Sequence, residues 1–131
     1  MRLSTISSAF LLGCAAAAHL QQRKASKTVT LYDWSFAPGE HGVIMVSQFL
    51  LWPDEVLCAA ENYTLPSPRF PCNDTAWEWS LAQTNNTWDM HLWYTTDTGT
   101  LEGVLHPRCN GLRGCEQIGN VTGTLVPPQG E

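Results

Sequence analysis

The chain has 131 residues, with 12 Asp and Glu against 7 Lys and Arg and a formal charge of −5. One domain of ordinary size accounts for that length, and an acidic chain without a basic patch or basic amphipathic stretch is not built to hold nucleic acid or anionic lipid by bulk electrostatics. A domain this small buries a modest fraction of its surface, so cross-links matter to its stability.

Residues 1–18 read as a signal peptide. Met1 and Arg2 give a positive start, and AFLLGCAAAA at 9–18 is an apolar run closing on small residues. The run is too short to span a bilayer, which takes roughly 20 apolar residues, and its small residues suit cleavage near Ala18. Loss of the leader removes Arg2 and Cys14. The mature chain then holds 6 basic against 12 acidic residues and four of the 5 cysteines. An even cysteine count behind a secretion signal implies an extracellular domain with disulfides. Residues 19–27 (HLQQRKASK) are polar, basic and aperiodic, and are expected to form a flexible N-terminal arm. The domain itself is expected over 28–126, with a flexible C-terminal tail at 127–131.

From residue 28 on, short runs rich in β-branched and aromatic residues alternate with turn residues. Strands are predicted at 28–36 (TVTLYDWSF), 43–52 (VIMVSQFLLW) and around 56–58. The stretch 63–72 carries three prolines and is expected to be irregular. Further strands are predicted at 75–82, 87–95, 100–105 and 118–126. No segment has a helical period. The pattern predicts an all-β fold, a compact antiparallel β-barrel or sandwich.

The central hairpin has a predicted register. With the turn at Thr84-Asn85, Leu81 faces Trp88, Trp79 faces Met90 and Trp77 faces Leu92 on one apolar face, which is core. The other face pairs Ser80 with Asp89, Glu78 with His91 and Ala76 with Trp93. Trp34, Trp52 and Trp93 remain as candidate exposed aromatic platforms.

Candidate chemistry is sparse. The histidines form no HExxH, HxH or Cys-His zinc spacing, no G-x-S-x-G elbow is present, and GNVTG lacks the lysine and the helix of a phosphate loop. Glu78, Asp89 and His91 are the one polar group that alternation brings to a single strand face. They define the enzymatic alternative, a small hydrolase or metal-dependent enzyme, although a cross-strand polar pair is the simpler expectation. Asp33, which alternates with Leu31 and Ser35, is a candidate buried functional acid, although a solvated strand face or a capping role is the simpler expectation. Asn62, Asn73, Asn85 and Asn120 lie in Asn-X-Ser/Thr sequons and are candidate glycosylation sites of a eukaryotic secreted chain. A cysteine metal cluster is disfavoured by the secretory leader and the lack of a C-x-x-C spacing.

From Thr28 to Val126 the chain resembles the major-Alternaria-allergen-like proteins, small secreted fungal β-barrels. The resemblance is carried by the opening strand TVTLYDWSF, by Leu57-Cys58-Ala59-Ala60, and by Phe70-Pro71-Cys72 leading into AWEWSL. It continues through TWDMHLWY, Pro107-Arg108-Cys109, Cys115 and the closing GNVTGTLV. It implies two local disulfides, Cys58–Cys72 and Cys109–Cys115, which agrees with the close spacing of each pair. It also implies a non-enzymatic extracellular protein without a cofactor that acts by binding at a host interface, as an effector, elicitor or allergen. The partners it suggests are a host extracellular protein or a small aromatic, flavonoid-type ligand, the latter making the protein a carrier. The mature chain has no cysteine before Cys58, so the covalent dimer of the family's namesake is not expected.

Overall fold

The structure, a computed structural model, describes residues 25–111 and 114–128. The expected leader, residues 19–24 of the arm and residues 129–131 of the tail lie outside the described residues. The described chain forms β1 (Lys27–Pro38), a 3-10 turn (Glu40–Gly42), β2 (Ile44–Trp52), β3 (Val56–Tyr63), β4 (Phe70–Pro71), β5 (Trp77–Thr84), β6 (Thr87–Thr96), β7 (Gly99–Leu105), β8 (Cys109–Asn110), β9 (Cys115–Gln117) and β10 (Val121–Leu125). The short strands β4, β8 and β9 fall where the sequence pattern predicts none. They carry too few residues for alternation to register.

The strands form two antiparallel sheets. One has the order β3-β2-β1-β9-β8, with β10 also paired to β1; the other has the order β4-β5-β6-β7. β10 pairs with the first half of β1 and β9 with the second half. The sheets are not closed into a barrel, so the all-β expectation is met as a sandwich. They meet at two rims. At one, a single bridge joins Glu102 to Val126. Gly103 and Gly123 let β7 and β10 approach there, since a Cβ on Gly103 would lie 2.9 Å from Leu125 Cδ2 and 3.1 Å from the Thr124 carbonyl. At the other, the Cys58–Cys72 disulfide ties β3 to the segment after β4, and the Asn73 amide N–H donates to the Leu57 carbonyl at 2.9 Å. The second disulfide, Cys109–Cys115, closes the β8–β9 ribbon. Both pairings are those the family resemblance implied.

The core lies between the sheets. Trp34, Trp77, Trp79, Phe49, Leu31, Leu51 and Leu92 are fully buried. Trp79 meets Phe49 edge-on at 5.1 Å and Phe70 at 5.1 Å, the tilted arrangement that aromatic quadrupoles favour. Among the described residues the indole N–H groups of Trp34, Trp77 and Trp79 have no acceptor, a polar cost that aromatic burial has to exceed.

A bulge in β1 decides which residues face that core. Tyr32 pairs with Leu50 and Ser35 with Gln48, so Asp33 and Trp34 together oppose Phe49 alone. Asp33 takes a left-handed backbone (φ 55) and is exposed, while Trp34 turns inward. Unbroken alternation would have buried Asp33 beside Leu31 and exposed Trp34. On the other edge of β1 the β10 pairing ends at Leu31 and the β9 pairing begins only at Ser35, and in that gap Gln117 partners the Trp34 N–H and the Leu31 carbonyl. Its Oε1 accepts from Trp34 N at 2.9 Å, and its Nε2 donates to the Leu31 carbonyl at 2.9 Å and to the Gly119 carbonyl at 2.8 Å.

The hairpin register differs from the predicted one by two residues. Thr84 pairs with Thr87, Leu81 with Met90, Trp79 with Leu92 and Trp77 with Tyr94. The turn is Asn85-Asn86, with φ of 50 and 66. A two-residue turn of this kind needs positive φ at both central positions. Asn tolerates that backbone and β-branched Thr84 does not. A two-residue slip preserves face parity, so the apolar sorting stands while each cross-strand partner changes. Trp88 now faces Gln83 and is half-buried, packing edge-on against Trp34 at 5.3 Å and Phe36 at 5.3 Å.

Candidate functional site

The outward face of β5, β6 and β7 gathers the polar side chains with chemical potential. Alternation on β6 sends Asp89, His91 and Trp93 outward while Met90 and Leu92 enter the core. The register then sets three rows: Glu78, Trp93 and Glu102; Ser80, His91 and Val104; and Ala82 with Asp89.

Trp93 is the centre of the first group. The His91 ring stacks on it at 3.9 Å with an interplanar angle of 15°, and the Arg69 guanidinium lies 4.0 Å from its centroid. Two planar groups that close to one ring cannot share a face, so the indole is held between them. Its Nε1–H donates to Glu102 Oε2 at 3.0 Å. The same oxygen lies 3.7 Å from His91 Nε2, and Arg69 Nη2 pairs with Glu78 Oε1 at 3.1 Å. Burial pushes the His91 imidazole below its usual range. Glu102 opposes that shift and Arg69 adds to it.

The second group lies further along β6. Asp89 Oδ1 is 3.0 Å from His106 Nδ1, and Asp89 Oδ2 accepts from the Thr84 hydroxyl at 3.0 Å. The Trp88 carbonyl is 3.2 Å from the same Nδ1. Both neighbours of that nitrogen are acceptors, so Nδ1 carries the proton and Nε2 is left for other work.

Glu78, Asp89 and His91 are therefore not one constellation. Glu78 stands four residues along β5 from Ala82, the partner of Asp89, a separation of roughly 13 Å along the sheet. Glu78 pairs with Arg69 in place of His91, His91 leans on Trp93 beside Glu102, and Asp89 belongs to His106. The predicted Glu78–His91 contact fails because of the two-residue shift in register. Among the described residues, no cluster of three or more His, Cys, Asp and Glu side chains is arranged to hold a metal ion. Of the three candidate aromatic platforms, Trp34 is core, Trp93 is half-buried in its stack, and Trp52 is 57% exposed.

Arg69, Glu102 and His106 were not singled out by sequence. Alternation on β7 would have placed Glu102 on the outer face, but Arg69 and His106 lie outside regular strands and carry no periodic signal. The sequon residues Asn62, Asn73, Asn85 and Asn120 are all exposed. Asn73 is also structural, its Oδ1 accepting from Leu57 N at 3.0 Å.

On the opposite sheet an open groove of about 850 Å³ runs over β1, lined by Phe36, Val46, Gln48, Asn110 and Glu116. No helix among the described residues is long and apolar enough to cross a membrane. No family model and no curated protein matches this chain.

Proposed function

We propose that the protein is secreted and acts outside the cell by binding a macromolecular partner at a host interface, as do the allergen-like fungal proteins it resembles. The observation that carries this reading is the Arg69–Trp93–His91 stack. Trp and Arg are the residue types that most often anchor protein interfaces. Here both are fixed in place before any partner arrives, Trp93 by its bond to Glu102 and Arg69 by its pair with Glu78. Anchors ordered in advance lose less conformational freedom on binding. Two disulfides agree with an oxidising compartment. The sequon residues are all exposed, Asn85 at the hairpin tip and Asn62 near the end of β3.

The test uses secreted protein on host extracellular fluid, with wild type beside a Trp93→Ala, Arg69→Ala double variant. Wild type is expected to retain a partner that the double variant loses while keeping its fold. A parallel assay follows turnover of generic ester, peptide and glycan substrates. Turnover by wild type that a Glu78→Ala, Asp89→Ala, His91→Ala variant loses would replace this reading with an enzymatic one.

A carrier role has its own support in the open groove over β1. Its mixed lining, with Phe36 and Val46 beside Gln48 and Asn110, suits a flat aromatic ligand bearing hydroxyl groups. Saturable quenching by a flavonoid that Phe36→Ala abolishes would favour it.

A further inference from the structure

Three of the chain's basic residues lie in the described structure, and two of them are already engaged. Lys27 Nζ is 3.0 Å from Asp54, and Arg69 is 3.1 Å from Glu78. Among the described residues Arg108 has no carboxylate partner. In a chain with 12 acidic and 7 basic residues, an unengaged guanidinium is an unusual local charge.

Arg108 lines a cleft of about 360 Å³ between the β5–β6 turn and the segment leading into β8, together with Asn86, Thr87, Trp88 and His106. Both walls are tied down. On one side Trp88 is wedged against Trp34 and Phe36. On the other, Pro107 is buried, Ile118 N donates to the Arg108 carbonyl at 2.8 Å, and Cys109 is fixed by its disulfide. Asp89, next in the chain to Trp88 of the cleft wall, is turned to His106 and the Thr84 hydroxyl. The polar lining that remains is an arginine, a side-chain amide, a hydroxyl and the free edge of an imidazole.

We propose that this cleft binds an oxyanion, the carboxylate or phosphate group of a small ligand. Arg108 supplies the planar two-pronged donor that such groups match, and Asn86 and Thr87 supply further hydrogen bonds. The site is separate from the Trp93 stack and does not rest on the partner-binding reading above.

The experiment titrates folded, disulfide-intact protein with inorganic phosphate and with glucuronate, and follows amide and side-chain N–H resonances. Glucose and sodium chloride at matched ionic strength are the controls. The expected result is a saturable shift of the Arg108 Nε–H and the Asn86 side-chain amide in the millimolar range with phosphate, glucuronate or both. A response to phosphate alone identifies a phosphoryl source, and a response to glucuronate alone identifies a carboxylate source. Arg108→Gln should weaken binding by about tenfold or more, Arg108→Lys by less, and Arg69→Gln not at all. Arg108 is exposed, so its variants are expected to fold, which their spectra report directly. Equal shifts with sodium chloride or glucose, no saturable shift up to about 100 mM, or unchanged binding by a folded Arg108→Gln protein would each overturn the assignment.

Discussion

Gln117 does the work of a missing strand. Its amide offers an acceptor to Trp34 N–H and a donor to the Leu31 carbonyl, two groups in the gap where β10 has left β1 and β9 has not yet joined it. Gln117→Ala leaves both part-buried groups unpaired and is expected to cost about 1–3 kcal/mol, read as a lower urea midpoint. Gln117→Glu keeps the acceptor but sets a carboxylate against the Leu31 and Gly119 carbonyls, so it should also be less stable than wild type. An unchanged midpoint in both variants would show that this stretch of β1 does not depend on the Gln117 side chain. His91 yields a prediction in pH. Its folded pKa is lowered, chiefly by burial, so the folded state binds fewer protons than the unfolded one. The stability this contributes is full above the ordinary imidazole value of about 6.5 and is lost as pH falls below it through the lower folded value. The melting temperature of wild type should therefore fall more steeply than that of His91→Gln as pH drops from neutral through that window. Parallel profiles would show that the ring is not held neutral by the fold.

At the scale of the element, the β5–β6 hairpin rests on its two-residue turn. Asn85 and Asn86 both adopt positive φ, a conformation that costs an ordinary L-residue roughly 1–2 kcal/mol. Asn86→Ala is expected to lower stability by about 1 kcal/mol, whereas Asn86→Gly should cost nothing, since Asn-Gly is the favoured pair for this turn. Thermal melts of the two variants decide the matter, and equal losses would contradict it. This turn also marks where the sequence stopped being readable. Alternation along 77–81 and 88–92 fixed which side chains face inward, because Trp77, Trp79, Leu81, Met90 and Leu92 are apolar at every second position. It left cross-strand partners open, because a slip by two residues conserves that alternation. Register was settled by backbone strain at the asparagines, and with it the partners of Glu78, Asp89 and His91. The β1 bulge was hidden in the same way. Nothing in TVTLYDWSF announces that Asp33 and Trp34 share one partner, yet that single extra residue buries Trp34. The pairing of Asp89 with His106 was not readable because His106 lies past the end of β7, where no period applies.

At the scale of the whole molecule, two sheets of unequal size are held face to face by an aromatic core, and the two disulfides have different tasks within it. Cys109–Cys115 closes a ribbon that belongs to one sheet throughout. Cys58–Cys72 runs between the sheets, from β3 to the segment that enters β5, and the Leu57–Asn73 bonds lie next to it. On loop entropy alone the Cys58–Cys72 loop is worth about 3 kcal/mol and the shorter Cys109–Cys115 loop roughly 0.7 kcal/mol less. Topology separates them. Loss of the Cys109–Cys115 link frees a ribbon that contributes few core side chains beyond Cys115. Loss of the Cys58–Cys72 link frees the rim where β3 meets the other sheet, beside Tyr63, Phe70 and Trp79, whose rings lie 5.0 to 6.0 Å apart. A Cys58→Ala, Cys72→Ala variant should therefore fall well below a Cys109→Ala, Cys115→Ala variant in melting temperature, and its near-ultraviolet dichroism should lose aromatic signal first. If the two variants melt within about 5 °C of each other, loop entropy accounts for both bridges and the inter-sheet position of Cys58–Cys72 adds nothing.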